Sequence, residues 1–191
     1  MLNFPEIGKS KLRQKLLSYF FANSQANLYV REASSILKED PGNLSKELVR
    51  LEKAGIFVSN TRGKQKYFSL NKNYLLFKEL KSVVSKTVGA EASLREIVNA
   101  DSGIKTAFIY GSFAQNKETS SSDIDLLVTG KPDEAKLMEK IDALEKKLGR
   151  EINFTVYSEK DFTNSIKRKS SFILNLIKRD KILLKGNLSG F

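Results

Sequence analysis

The chain has no cysteine and no histidine. Without cysteine there is no disulfide framework and no thiolate metal site. Without histidine, the Ser-His and Cys-His nucleophile pairs, His-ligated zinc and the usual general base near neutral pH are excluded. Any chemistry must therefore run on carboxylates, hydroxyls, amides, amines and bound metal. No run of eighteen apolar residues occurs, so no membrane-spanning segment is expected. The opening residues, MLNFPEIGKS, lack the apolar stretch of a secretory signal, and a cytoplasmic location is the expectation. Proline (three) and glycine (eleven) are scarce in 191 residues and 40% of the chain is hydrophobic, which argues against disorder and for one large domain or two small ones.

Positive charge is in excess, and it is unevenly distributed. The formal net charge is +11. Residues 1–86 carry sixteen Lys/Arg against seven Asp/Glu, a balance of +9, whereas residues 87–191 carry seventeen against fifteen, a balance of +2. That step predicts a polyanion-binding module over residues 1–86 joined to a near-neutral one over 87–191. A generally basic soluble protein is the alternative, and the asymmetry favours nucleic acid over it.

Within the first half, Leu12, Leu16, Leu17, Phe20 and Phe21 recur at helical spacing. Val30 to Leu37 reads as a second, short helix. Asp40-Pro41-Gly42-Asn43 supplies a turn with Asn43 as the expected N-cap, and Leu44, Leu48 and Leu51 give a third helix its buried stripe. Gly55 stands where a C′ glycine would end that helix. A strand at Ile56–Ser59, a turn at Asn60–Lys64 and a return strand at Gln65–Leu70 make a hairpin with a basic tip. Residues 74–84 continue as an amphipathic helix that suits a dimer helix or an interdomain connector, and the chain thus carries a potential homodimer contact. The stretch from Tyr29 to Asn71, and more broadly residues 10–75, resembles a winged helix-turn-helix domain of the small transcription-regulator type. That resemblance implies that Asn43, Ser45, Lys46 and Arg50, which lie off the leucine stripe, face double-stranded DNA, with the third helix in the major groove. Arg62 and Lys64 on the wing, and Lys66 beside them, would reach backbone phosphates or the minor groove; phosphate contacts set affinity and register, and base-edge contacts carry sequence information. Taken singly, Lys46 and Arg50 are better explained as cations that solvate a helix; the whole set on one surface beside a basic wing favours DNA, with protein docking, which winged helices also serve, as the alternative.

The second half is most informative over residues 105–130, KTAFIYGSFAQNKETSSSDIDLLVTG. Thr106–Tyr110 reads as a short buried strand, Gly111-Ser112 as a sharp turn, Phe113–Asn116 as the start of a helix, and Asp123-Ile124-Asp125 as the opening of a second apolar strand. Residues two apart on a strand project to the same side, so Asp123 and Asp125 are expected to share one site. Two adjacent carboxylates repel, and hard Mg²⁺ favours such oxygen ligands together with substrate phosphates. Gly111 lets the backbone approach a phosphate, and Ser112 offers a hydroxyl and an N–H.

Tyr110-Gly111-Ser112, ten intervening residues, then Asp123-Ile124-Asp125-Leu126 resemble the signature of the nucleotidyltransferase superfamily that includes DNA polymerase beta, and especially its small members, the minimal nucleotidyltransferases. The resemblance covers roughly residues 90–190. It implies an α+β chain in which a winged helix is followed by a nucleotidyltransferase-fold domain with a small mixed sheet flanked by helices. It also implies Mg²⁺ or Mn²⁺ held by Asp123 and Asp125, a nucleoside triphosphate whose β- and γ-phosphates lie on Gly111 and Ser112, and transfer of a nucleoside monophosphate to a protein or nucleic-acid hydroxyl. Minimal nucleotidyltransferases are often partners of small toxin proteins, so a toxin–antitoxin setting with a toxin-like protein partner follows from the same resemblance. The chain departs from the pattern at two points. The third acidic position aligns with Asn153, which cannot accept a proton, although Glu151 lies two residues away and is the candidate substitute. Gln115 stands where many relatives carry arginine, and Lys117 is the candidate replacement cation. Three readings follow: an active enzyme using Asp123, Asp125 and Glu151; a transcription regulator whose degenerate domain senses a nucleotide or binds a partner; or a docking scaffold that binds neither DNA nor nucleotide and so shows no salt-dependent duplex binding. The basic tail segments at residues 166–170 and 178–181 read first as solvated faces and second as triphosphate or RNA contacts.

Overall fold

The computed structural model describes residues 10–115, 122–168, 173, 176 and 179–187. The chain divides into two compact units, Met1–Ala90 with Lys147–Gly149, and Glu91–Lys146 with Arg150–Phe191. Among the described residues, no helix is long and apolar enough to cross a membrane.

The first unit runs α1 (Lys11–Ala22), β1 (Leu28–Tyr29), α2 (Val30–Leu37), α3 (Pro41–Lys53), β2 (Phe57–Arg62), β3 (Gln65–Leu70) and α4 (Phe77–Thr87). Its three strands are ordered β1-β3-β2, all antiparallel. The leucine stripe of α3 is fully buried, and it meets Leu16, Leu17, Phe20 and Phe21 of α1, Phe57 and Phe68 of the hairpin, and Leu80 and Val84 of α4 in one core. The apolar face of α4, read from the sequence as a dimer helix or a connector, is thus buried in its own unit, where Phe77 packs on Phe21 with ring centroids 5.6 Å apart.

Several expectations are corrected in detail. The N-cap of α3 is Asp40, not Asn43: its carboxylate accepts the Asn43 N–H at 2.8 Å, and Pro41 fills the first turn, where its missing N–H costs nothing. The hairpin turn is shorter than the five residues expected. Arg62 pairs with Gln65, leaving Gly63 and Lys64 as a two-residue loop, and Gly63 takes φ +59 as such tight turns require. The fourth helix starts at Phe77 rather than Tyr74. Gly55, at φ +81 just beyond α3, ends that helix as the sequence suggests.

Glu52 joins α3 to the wing. Its carboxylate accepts hydrogen bonds from Lys66 Nζ on β3, at 2.7 Å, and from the Ser59 hydroxyl on β2. Deeper in the unit, the buried Arg13 of α1 pairs with Glu47 of α3.

The second unit runs α5 (Ala90–Asn99), β4 (Ile104–Tyr110), α6 (Gly111–Ala114), β5 (Ile124–Gly130), α7 (Glu134–Leu148), β6 (Ile152–Tyr157), α8 (Glu159–Lys167) and β7 (Ile182–Lys185). The strands are ordered β6-β5-β4-β7; β5 and β6, joined through α7, are parallel, and the other pairs are antiparallel. This is a small mixed sheet with helices. Leu94 and Val98 of α5 and Leu137, Ile141 and Leu144 of α7 are buried. Arg95 of α5 donates to the carbonyls of Leu183 and Leu184, each at 2.8 Å, which fastens the edge strand β7. Helix α6 begins at Gly111 itself and ends at Ala114, so Gly111-Ser112 is its first turn rather than a bend before it.

Lys66 and then Ser59 hold the Glu52 carboxyl below its ordinary range. A depressed carboxyl contributes stability that is present above its unfolded value and is lost as pH falls through its folded value. Glu52→Gln is expected to destabilise the first unit by about 1 kcal/mol at neutral pH. In urea titrations the gap to the parent should close as the pH drops below the usual carboxylate range; a gap that persists there would show that the Glu52 charge contributes nothing.

Candidate active site

The site forms at one end of one face of the second unit's sheet. Strand pairing sets Tyr110 opposite Asp125, and Asp125 beside Asn153, so these three side chains project together. The next row on that face is Phe108, Leu127 and Thr155. Asp123 lies just before β5, and its Oδ2 accepts a hydrogen bond from Asn153 Nδ2. The backbone on both sides of Asp123 is pinned. The buried Arg150 donates from Nε to the Ser122 carbonyl at 2.6 Å, and the Ile124 N–H donates to the Glu151 carbonyl at 2.9 Å.

Burial first, and the Asp123 charge second, push the Asp125 carboxyl above its ordinary value. Both effects disfavour a second negative charge at one spot. The Tyr110 phenol is also pushed up, chiefly by burial and next by Asp125; a hydrogen bond with Thr155 opposes the rise, and Tyr157 and Asp123 add to it. Gly111 takes φ +75, and a Cβ there would sit 2.1 Å from Asp125 Oδ2. The close approach of backbone to carboxylate requires glycine for both reasons.

Asp123, Asp125, Asn153 and Gly111 are therefore brought together. Ser112, half-buried, follows Gly111 in α6. Lys117 lies outside the described residues. Glu151 sits one residue before β6, level with Asp123 and exposed to solvent. Among the described residues no group of three or more acidic side chains able to hold a metal is present. The pair, with the Asn153 side chain beside it, is a hard oxygen donor set of the kind Mg²⁺ uses when it keeps waters and substrate phosphates as its other ligands. Sequence reading missed Tyr110, Thr155 and Arg150. The alternation Asn153, Thr155, Tyr157 was a usable signal for Thr155; nothing local marks Arg150.

On the first unit, Asn43, Lys46 and Arg50 are exposed and Ser45 half-buried along α3, while Arg62 and Lys64 are exposed at the hairpin tip. The Arg62 guanidinium lies 5.4 Å from the centre of the Tyr67 ring, which packs edge-on against Tyr29. Lys66, by contrast, is engaged by Glu52.

Residues 91–179 match the family model of the nucleotidyltransferase domain. No curated protein sequence matches the chain. Among solved structures, the chain is similar to a toxin–antitoxin with AMP-PNP at 16% identity and TM-score 0.38, over 52% of this chain and 76% of that one. It is similar to a mutant of the toxin–antitoxin MntA-HpeT at 13% identity and TM-score 0.39, over 53% and 77%. A candidate nucleotidyltransferase from Sulfolobus solfataricus aligns at 19% identity and TM-score 0.27, over 49% and 73%.

Gly111→Ala is expected to cost about 1–3 kcal/mol through its backbone conformation and its clash with Asp125. In a double-mutant cycle, Asp125→Ala should relieve part of that cost. Strict additivity in chemical denaturation would show that the carboxylate is not what the new methyl group meets.

Proposed function

We propose that the second unit is a metal-dependent nucleotidyltransferase, moving a nucleoside monophosphate from a nucleoside triphosphate onto a hydroxyl of a protein or nucleic acid. The observation that carries this reading is the placement of Asp125 against the backbone of Gly111, with the charge of Asp123 acting on it, within a segment that matches the nucleotidyltransferase domain. Asp123 and Asp125 would hold Mg²⁺ or Mn²⁺, which when bound would supply positive charge to neutralise the triphosphate and its pyrophosphate leaving group. Gly111 and Ser112 meet the β- and γ-phosphates: the glycine leaves room for backbone contact and the serine offers its hydroxyl. Asn153 keeps one Asp123 oxygen hydrogen-bonded and so fixes that carboxylate. The attacking hydroxyl bonds to the α-phosphorus, the bond to the β-phosphate oxygen breaks, and pyrophosphate leaves. The hydroxyl proton needs an acceptor, and Glu151 is the candidate because an amide at Asn153 cannot take it. In keeping with the resemblance to minimal nucleotidyltransferases, a hydroxyl of a small toxin-like protein is the acceptor of first choice.

A second reading, a transcription regulator with a nucleotide-sensing or partner-binding domain, is favoured by one observation: the side chain hydrogen-bonded to Asp123 is the Asn153 amide, not a carboxylate. Incubation with Mg²⁺ or Mn²⁺, each α-labelled triphosphate and candidate acceptors separates the two. Transfer is expected, and it should vanish in Asp123→Ala/Asp125→Ala; equal nucleotide affinity in that variant and the parent would sink the site assignment. Binding without transfer, with transfer appearing in Asn153→Asp, would establish the regulator reading.

We further propose that the first unit is a winged helix that binds duplex DNA. Its supports are the order of α1, α2, α3 and the β2–β3 hairpin, the exposed Asn43, Lys46 and Arg50 beside the half-buried Ser45 on α3, and the basic tip with Arg62 and Lys64. Arg62→Ala should weaken binding alike on all sequences and lower the salt-dependence slope by about one. Arg50→Ala should weaken binding as well, and the Asp123/Asp125 double variant should leave it intact. Unchanged duplex titrations for both arginine variants would remove this surface from consideration.

A further inference from the structure

A sheet edge is where another chain can pair, and folded proteins ordinarily blunt such edges with charge, proline, a bulge or a covering group. The two edges of the second unit's sheet, β7 and β6, differ in this respect. β7 is four residues long, its register on β4 shifts between Ala107 and Phe108, and Arg95 takes the Leu183 and Leu184 carbonyls. β6 is six residues long, pairs with β5 in unbroken register, and contains neither a charge nor a proline.

The direction of each main-chain group on β6 follows from its pairing. The Glu151 carbonyl accepts the Ile124 N–H, so Glu151, Asn153 and Thr155 turn their main-chain groups toward β5, and Ile152, Phe154 and Val156 turn theirs outward. Glu145 takes the outward Ile152 N–H at 2.6 Å. Among the described residues, no hydrogen bond reaches the outward N–H and C=O groups of Phe154 and Val156. The side chains alternate as well. Asn153 and Thr155, on the face of the Asp pair, are exposed, whereas Phe154 and Val156, on the other face, are half-buried.

We propose that the free edge of β6 binds an extended segment of a protein acceptor, which joins the sheet as one further strand and sets a hydroxyl side chain alongside Asn153. The acceptor role rests on the nucleotidyltransferase reading and deepens it; the pairing itself does not depend on that reading. In such strand addition the main-chain bonds supply affinity and alternate side chains supply specificity. A row of alternating N–H and C=O groups finds its complement in another main chain, whereas a phosphate backbone only accepts. Residues paired across neighbouring strands project to the same face. The residue opposite Asn153 therefore stands one strand spacing, about 5 Å, from Asn153 and two from Asp125. It enters from the side of the pair on which Glu151, the proposed proton acceptor, lies. Its neighbours along the segment cover the half-buried Phe154 and Val156, so the segment alternates apolar and hydroxyl-bearing residues. Acidic residues are exposed at both ends of β6: Glu151 precedes it, and beyond it Glu159 and Asp161 outnumber Lys160. The flanks of the segment are therefore basic. The same acids disfavour a second copy as the occupant, since antiparallel pairing of β6 with itself sets Glu151 of each copy near Glu159 of the other.

The test uses the full chain with Mg²⁺ and an α-labelled triphosphate. The probe is a synthetic peptide long enough to span β6, in which valine alternates with threonine around a central tyrosine, with lysines at both ends. The peptide is expected to bind and to take label on a hydroxyl. N-methylation of one alternate set of its amides should weaken binding about tenfold or more, and of the other set far less, because only one edge of the peptide faces β6. Val156→Pro removes one outward N–H at an edge position that tolerates proline, and should weaken peptide binding and labelling about tenfold with triphosphate binding unchanged. Val156→Ala, which keeps that N–H, should bind the peptide nearly as the parent does. If Val156→Pro melts well below Val156→Ala, the two methylated peptides decide. If the parent binds triphosphate but not the peptide, or binds both methylated peptides as tightly as the plain one, the inference is overturned while the nucleotidyltransferase reading stands. Single-stranded RNA bound or labelled in place of the peptide, and lost in Val156→Pro, gives the edge to nucleic acid and overturns it. A concentration-dependent dimer that Val156→Pro abolishes gives the edge to a second copy and overturns it too. If the parent binds the peptide at this edge but binds no triphosphate, the docking surface stands, and the nucleotidyltransferase reading falls together with the acceptor role.

Discussion

Two carboxylates held side by side at the start of one strand are the constraint on which the second unit turns. Asp123 and Asp125 repel, and Asp125 is partly withdrawn from water, so the arrangement is unfavourable in isolation. It is maintained by groups from elsewhere in the chain. Arg150 fixes the Ser122 carbonyl, the Glu151 carbonyl takes the Ile124 N–H, and Asn153 offers its amide to Asp123. Gly111 leaves its Cβ space to the Asp125 carboxylate. A protein that spends this much structure on keeping two like charges adjacent gains nothing in stability from the pair itself. Titratable groups pushed from their ordinary ranges by burial and a like charge cluster at functional sites.

The parts of this site that were legible in the sequence are those that depend on local periodicity. Asp123 and Asp125 fall two apart at the head of an apolar run, and Gly-Ser follows another apolar run, so the shared face followed from the alternation of strand side chains. Arg150 and the Tyr110 hydroxyl were not legible, because their roles depend on which strands come to lie side by side; for Thr155 the alternation with Asn153 was the one local signal. The same division holds in the first unit. Leu44, Leu48 and Leu51 announced α3, and the hairpin followed from its two runs around Gly63. Strand β1, two residues long, has no periodicity to detect. Helix α5 has helical spacing in Ala90, Leu94 and Val98, but it begins where the charge step marks a boundary instead. Asp40 and Asn43 are both capping residue types; Pro41, with no N–H and a backbone angle suited to a first turn, decides for Asp40.

The first unit is organised around a different kind of contact. Glu52 accepts from Ser59 and Lys66, one on each strand of the hairpin, so a single carboxylate near the end of α3 fixes the attitude of the whole wing. Lys66, read from sequence as one more cation for a polyanion, is committed to this joint. Arg62 and Lys64, at the tip and beyond it, remain exposed to solvent. Basic residues a few positions apart thus divide into those that hold the fold and those presented outward, a division that depends on which of them has a carboxylate within reach.

The parallel pairing of β5 with β6 has a consequence for the order of assembly. A hairpin partner is available as soon as a turn closes, but Asn153 can join Asp125 only after the whole of α7 has been made and has crossed the sheet. The loop-closure entropy of that crossover must be met before any contact across the pair rewards it. On a growing chain, Tyr110 and Asp125 can meet early through the antiparallel β4–β5 pair, while the Asn153 amide and the Arg150 side chain arrive late. The two carboxylates can therefore come together before the groups that hold them, and the site is complete only once β6 has docked beside β5.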